Sequence, residues 1–223
     1  MKKTFDDSEF SFIDNKFWFP KEDKAITYSV LKNETGLLEV IKPHLKDNKV
    51  MVQAGGNCGM QITKFADFFD YVYTFEPEPK NFYCMNKNLV HKNVIKIQAC
   101  IGDERGMVNL SPWGNEQRGY ESGGYHVGGS GGYIPTLMID DLGLEQCDLI
   151  QLDVEGYQLK ALNGAIQTIK KFKPVICTEH AWIERYGGTS QDITSFLKEL
   201  GYFAEANYTS DTIYVHERFT GVF

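Results

Sequence analysis

Residues 52–59 read VQAGGNCG and overlap the apolar run KVMVQA at 49–54, which has the pattern of a buried strand. Three glycines in five positions, Gly55, Gly56 and Gly59, are poor packing material. The stretch therefore needs bare backbone for some other purpose. A residue without Cβ lets a ligand approach the main chain closely and tolerates positive φ. A tight strand–helix turn would use the same residues, so the distinction rests on what surrounds them.

The surroundings alternate. ETGLLEVIKPHL (34–45) reads as an amphipathic helix before the strand, and after it Ile62, Phe65, Ala66 and Phe69 form one helical stripe. The helix is predicted to begin near Cys58, with its free N–H groups aimed at a pocket. YVYTFE (71–76) is a second strand, Phe82, Met85, Leu89 and Val90 mark a helix opened by Pro79, and VIKIQACI (94–101) is a third strand. CDLIQLDV (147–154) and PVICTEH (174–180) are further strands, separated by one helix with Leu159, Leu162, Ile166 and Ile169 inward. Thr189 and Asp192 stand at capping-box spacing ahead of Ile193, Phe196, Leu197 and Leu200. YFAEAN and TIYVHE flank YTSD as a closing hairpin whose last strand runs antiparallel to the rest.

Strands alternating with helices predict an α/β fold with a parallel sheet covered on both faces. Ligands of such sheets sit beyond the carboxyl ends of the strands. Glu76 closes the second strand 21 residues after Gly55, where a carboxylate can accept both hydroxyls of a ribose. NAD and S-adenosylmethionine both carry that ribose. The spacing here is G-G-N-C-G, not G-x-G-x-x-G, and no basic side chain lies in the turn to meet a phosphate. A cofactor without phosphates is favoured.

Bulk properties narrow the class. The 223 residues are 42% hydrophobic with a net charge of −7, which supports a sizeable core and argues against a nucleic-acid binder. No run approaches the ~18 apolar residues of a membrane span. The start MKKTFDDSEF turns acidic where a signal peptide would turn apolar, and five widely spaced cysteines lack a CxxC pair. A cytoplasmic protein with reduced thiols, touching neither membrane nor nucleic acid, is expected. Residues 1–30 are expected as an N-terminal extension to a single domain over 31–223. Within it, 113–133 holds eight of the 21 glycines without any period and is expected as a mobile loop, a lid or a solvated linker.

VMVQAGGNCGMQI, YTFEPEPKNFYCMNKN, IQACIGDERG and IPTLMIDDL followed by CDLIQLDVEGYQLKALNGA resemble successive motifs of the FkbM-type S-adenosylmethionine-dependent methyltransferases, over about residues 49–180. The resemblance implies the class I methyltransferase fold, Rossmann-like, with a seven-stranded, mostly parallel sheet and an antiparallel last strand. It also implies site residues. Gly55, Asn57 and Gly59 would hold the methionine part of the cofactor, with Gln53 standing where the family has an acidic contact to the ammonium. Glu76 would bind the ribose, and Ile101 and Asp103 lie at the adenine side. Asp153 would face the methyl group and the substrate. Gln158 and Leu159 stand where a further glutamate is common.

Transfer to a hydroxyl requires a base, and Asp153, Glu155 and His180 are the candidates at strand ends. Asp153 could instead, or in addition, cap a helix, Glu155 pair with helix N–H groups, and His180 be structural. No metal is predicted, although Asp153, Glu155, Glu179 and His180 would suit a divalent cation if they converged. Trp113, Tyr120, Tyr125 and His126, with HAWIERYGG at 180–188, offer aromatic rims suited to a saccharide or another small-molecule hydroxyl. An NAD-dependent oxidoreductase and a non-catalytic cofactor-binding protein of the same fold are the alternatives. Oligomeric state cannot be read from the chain.

Overall fold

The computed structural model describes residues 5–23, 26–33, 36–112 and 121–217. In chain order the strands and helices are β1 (Phe10–Ile13), β2 (Phe17–Pro20), α1 (Ile26–Asn33), α2 (Leu37–Ile41), β3 (Val50–Ala54), α3 (Ile62–Phe68), β4 (Tyr71–Phe75), α4 (Pro79–Asn88), β5 (Val94–Ile97) and β6 (Cys100–Ile101). There follow β7 (Gly106–Pro112), β8 (Tyr125–Val127), β9 (Gly132–Leu137), β10 (Leu149–Leu152), α5 (Gln158–Asn163), α6 (Ile166–Phe172), β11 (Val175–Glu179), α7 (Ser190–Glu199), β12 (Tyr202–Tyr208) and β13 (Asp211–His216).

Seven strands form the main sheet in the order β12-β13-β11-β10-β3-β4-β5. β3 lies between β10 and β4, parallel to both, so its apolar run is buried on both faces. β13 inserts antiparallel between β11 and β12, the ending that the sequence called for. One core contains Val52, Phe75, Ile150, Leu152 and Ile176 beneath α5–α7, and the other contains Met51, Ile62, Phe65, Val72 and Leu149. This is the Rossmann-like class I methyltransferase fold.

Where the local signals were strong, they hold. Pro79 opens α4 behind Glu78, whose side chain accepts the N–H of Asn81 at 2.7 Å. Thr189 and Asp192 close a reciprocal capping box on α7.

Three element boundaries are corrected. α3 begins at Ile62, a full turn later than expected, because residues 57–60 form turns and Asn57 Oδ1 takes the N–H of Cys58. The third strand ends at Ile97, and Cys100–Ile101 leaves the main sheet to pair with Thr136–Leu137. The helix drawn over 159–169 is two helices. The backbone leaves helical geometry at Gly164 and Ala165, a Cβ on Gly164 would lie 1.9 Å from the Gly102 carbonyl oxygen, and Asp140 caps the second half through the N–H groups of Gln167 and Thr168.

A second sheet, in the order β6-β9-β7-β8, covers the carboxyl ends of β3 and β4. Part of the glycine-rich segment 113–133 belongs to it. Tyr125–Val127 pairs with Leu110–Pro112, and Gly132 begins a strand antiparallel to β7. Residues 113–120, including Trp113 and Tyr120, lie outside the described residues.

The N-terminal extension forms a β1–β2 hairpin on α4, with Phe10 stacked on Tyr83 at 4.6 Å. Asn88 accepts the N–H of Trp18 at 2.7 Å and donates to its carbonyl at 2.9 Å. All five cysteines are free and buried. Among the described residues no helix is long and apolar enough to cross a membrane.

Candidate active site

A cavity of about 240 Å³ opens at the carboxyl ends of β3, β4 and β10. The turn 53–57 forms one wall, Glu76 and Pro77 another, and the β10 turn with Asp153, Val154 and Glu155 a third. Leu110, Tyr125, His126 and Val127 roof it from the second sheet. Ser122 and Gly123 close one end together with Thr27 of the N-terminal extension.

The glycines also serve a purpose within the protein that the sequence did not suggest. A Cβ on Gly55, at φ +86°, would stand 1.7 Å from the Asp153 carbonyl oxygen. On Gly56 it would meet Met85 Cε at 2.3 Å, and on Gly59 Leu89 Cγ at 2.9 Å. The missing side chains make room for neighbouring protein, which draws the β3 turn against β10 and α4. The backbone of Gly55 and Gly56 lines the cavity as a consequence of that packing. Gly59 lies outside the lining.

Glu76 is the buried carboxyl of the site, only 5% exposed. Oε2 accepts the Asn57 N–H at 2.7 Å and Oε1 the Glu78 N–H at 2.8 Å. Burial pushes its carboxyl up to about 8, against the lowering pull of these donors. Oε1 also accepts a long bond from Asn81 Nδ2 at 3.5 Å, and Oε2 keeps a further lone pair for a ligand hydroxyl. Asn57, at φ +49°, holds the turn through its own side chain, which accepts from Cys58 N at 2.6 Å. Gln53 is buried at the floor, with Oε1 accepting from Thr74 Oγ1 at 2.5 Å.

At the adenine side expected from the resemblance, Ile101 lines the cavity and Asp103 does not. Asp103 instead pairs with Lys160 at 2.8 Å. Gln158 is fully buried at the first turn of α5, away from the lining, and among the described residues neither amide atom has a hydrogen-bond partner.

Of the three candidate bases, Asp153 and Glu155 line the cavity. Glu155 adopts φ +53°, a strained conformation that turns the chain into Gly156. His180 is not in the lining. Its Nε2 lies 3.0 Å from Tyr214 Oη, its ring stacks on that tyrosine, and burial lowers its pKa. Glu179, one residue earlier, does face the cavity. Burial raises its pKa, against the lowering pull of Ser210 and Asp153 beside it. Among the described residues, no three His, Cys, Asp or Glu side chains gather around one point.

The sequence reading missed Leu110, Ser122 and Thr27, which come from segments distant in the chain. Only the apolar alternation of Val108 and Leu110 hinted at a strand there. No lysine or arginine lines the cavity among the described residues. That donor set suits a neutral or cationic nucleoside and offers nothing to a pyrophosphate.

Comparison with known proteins gives the family and the fold. The Methyltransferase FkbM domain family matches residues 57–204. A crystal structure of methyltransferase FkbM from Methylobacillus flagellatus KT superposes with TM-score 0.50 at 18% identity, covering 76% of this chain. This chain spans only 44% of that protein's length. Precorrin-6y C5,15-methyltransferase from Geobacter metallireducens GS-15 shares the fold at TM-score 0.50 and 16% identity, covering 91% of this chain and 93% of that one. Magnesium protoporphyrin IX methyltransferase from Synechocystis PCC 6803, solved with bound SAM, does so at TM-score 0.50 and 11% identity over 87% and 82% of the two chains. No curated protein matches the sequence significantly. With a family match that spans well over half of its residues and a fold to go with it, this chain belongs to the FkbM methyltransferase family.

Proposed function

We propose that the protein methylates a hydroxyl group of a saccharide or another small molecule, with S-adenosylmethionine as donor. The observation that carries this reading is the meeting of Glu76, the 53–57 turn and Asp153 around one cavity that has no basic lining among the described residues. Glu76 would accept the ribose hydroxyls. Gln53 and the backbone of Gly55 to Asn57 would hold the methionine end, and Ile101 with Leu110 would flank the adenine. Gly59 and Asp103 would support the site from outside its lining. When bound, the cofactor supplies an electrophilic methyl group on a sulfonium.

The protein's own contribution is positioning and proton handling. Holding two reacting groups in line can supply roughly 7–11 kcal/mol of such a barrier in favourable intramolecular systems. Asp153 stands at the tip of β10, where it can orient an acceptor hydroxyl and receive its proton, with Glu155 beside it. Tyr125, His126 and Tyr157 give the cavity an aromatic rim on which a sugar ring could stack.

The test is transfer of labelled methyl to a panel of glycans and small alcohols, with the product checked for resistance to mild base, as an ether should show. Asp153→Ala should abolish incorporation and leave S-adenosylhomocysteine binding largely intact. Thermal stabilisation by NAD in place of S-adenosylhomocysteine would instead favour the oxidoreductase alternative.

A further inference from the structure

We propose that a second cavity, which shares Gln61 with the first, binds a small amphipathic anion: an apolar body that ends in a carboxylate. The inference goes beyond the methyltransferase reading and does not depend on it.

This cavity, of about 320 Å³, lies between the β1–β2 turn, α1, the start of α2 and residues 60–65 at the start of α3. Its volume is within the roughly 300–1,000 Å³ of small-molecule sites, and about twice the ~150 Å³ in which an apolar cavity holds a benzene ring. Phe17, Tyr28, Leu37, Leu38, Met60 and Phe65 supply apolar walls. All of these but Met60 are between 2% and 6% exposed. A ring with a short chain can leave water there, and the transfer is favourable.

The charged groups of the lining are mostly of one sign. Lys16, Lys32 and Lys64 line the cavity, and among the described residues Asp14 is the single carboxylate with them. Three positive charges to one negative reverse the balance of a chain whose net charge is −7. Asp14 is engaged twice within this group: Oδ2 accepts from Tyr28 Oη at 2.5 Å and pairs with Lys32 at 3.0 Å. Two of the lysines lie over the apolar walls. Lys16 Nζ is 5.2 Å from the centroid of the Phe17 ring, and Lys32 Nζ is 5.6 Å from that of Tyr28. Lys16 follows a tight turn in which Asp14 and Asn15 take φ +51° and +52° and the Lys16 N–H donates to the Ile13 carbonyl at 3.0 Å. Cation and apolar surface thus meet within one side chain's length. A bare phosphate would leave the apolar walls wet, and a neutral hydrocarbon would make no use of the excess positive charge. An anionic head on an apolar body complements both.

The first cavity selects differently, since among the described residues no lysine or arginine lines it. The two are neighbours with separate linings. Thr27 and Tyr28 are consecutive on α1, yet Thr27 lines the first and Tyr28 the second, and among the described residues Gln61 alone is common to both. Each can therefore be filled while the other is occupied. Asp14, Lys16, Phe17 and Tyr28 all belong to residues 1–30, which gives the N-terminal extension a binding task of its own.

Isothermal titration of the full chain with 4-phenylbutyrate, 4-phenylbutan-1-ol and 4-phenylbutylammonium, alike in body and different in head, tests the assignment. The carboxylate should bind with a Kd of about 0.1–1 mM, the alcohol at least about fivefold more weakly and the ammonium more weakly still. The double variant Lys16→Gln, Lys64→Gln, at two exposed positions, should weaken the carboxylate about fivefold or more and leave the alcohol within about twofold. Saturating S-adenosylhomocysteine should leave the carboxylate's affinity within about threefold. Equal binding of the three probes, no binding of 4-phenylbutyrate up to about 10 mM, or an affinity unmoved in the folded double variant would each overturn the proposal. So would displacement of 4-phenylbutyrate in proportion to S-adenosylhomocysteine, which would put the probe in the first cavity. The head-group series on the unaltered chain decides even if the variant does not fold. If S-adenosylhomocysteine itself fails to bind, the cofactor reading falls, while the probe series and the lysine variant still decide this site.

Discussion

The Glu76 carboxyl accepts the backbone N–H of Asn57 at 2.7 Å, which ties the end of β4 to the turn after β3. Its other oxygen accepts from Glu78 at 2.8 Å, so one side chain fixes two walls of the cavity. In Glu76→Gln, an amide nitrogen must face one of these two donors. The expected result is at least tenfold weaker S-adenosylhomocysteine binding, about 1.4 kcal/mol. A stability loss of about 1–3 kcal/mol should accompany it in chemical denaturation.

Cofactor affinity should depend on pH through the same group. In the folded, ligand-free chain Glu76 titrates at about 8, raised by burial from 4.5. Between those values the native state binds the extra proton, so this group makes the ligand-free protein less stable as pH rises from 4.5 to about 8. Ribose hydroxyls donate to the ionised form, so affinity should climb from about pH 6 and level off above about pH 8. Calorimetric titration with S-adenosylhomocysteine checks this, and a flat profile would contradict it.

Gly55→Ala should be among the most damaging single substitutions in the chain. The added Cβ would meet the backbone oxygen of Asp153 at 1.7 Å, where no side-chain rotation can relieve the clash. A loss of about 3 kcal/mol or more, or failure to fold, is expected in thermal melts. Gly132→Ala is the control, with nothing within 4 Å of the new Cβ, and should stay within about 0.5 kcal/mol of the parent.

Asp23 is fully buried and accepts from Ser122 Oγ and from the Thr27 hydroxyl, joining the N-terminal extension to the segment that closes the cavity. Asn81 Nδ2 holds the Ser122 carbonyl from the other side at 2.6 Å. Asp23→Asn should cost about 1.5–3 kcal/mol and speed release of S-adenosylhomocysteine in stopped-flow displacement. An unchanged release rate would show that the extension is merely a support.

Thr189→Ala removes both hydrogen bonds that the hydroxyl makes in the α7 capping box. About 1 kcal/mol of stability should be lost with no change in ligand affinity, read from denaturant midpoints.

What the sequence alone determined is what short-range chemistry writes into contiguous residues. Apolar runs marked β3, β4, β10 and β11 because strands buried on both faces read as nearly continuous apolar runs. Pro79, Thr189 with Asp192, and the closing hairpin announced their own geometry, and Glu76 was found by its place at a strand end. Tertiary structure alone decided the rest, because it depends on which distant backbones approach. Gly55 and Gly164 are glycines for the sake of carbonyl oxygens 98 and 62 residues away along the chain, at Asp153 and Gly102. The roof from β7 and β8, the seal between Asp23 and Ser122, and the turn of His180 toward Tyr214 while Glu179 faces the cavity arise in the same way. A local pattern places a residue at the end of a strand, whereas the direction its side chain takes is set by the neighbours that pack against it.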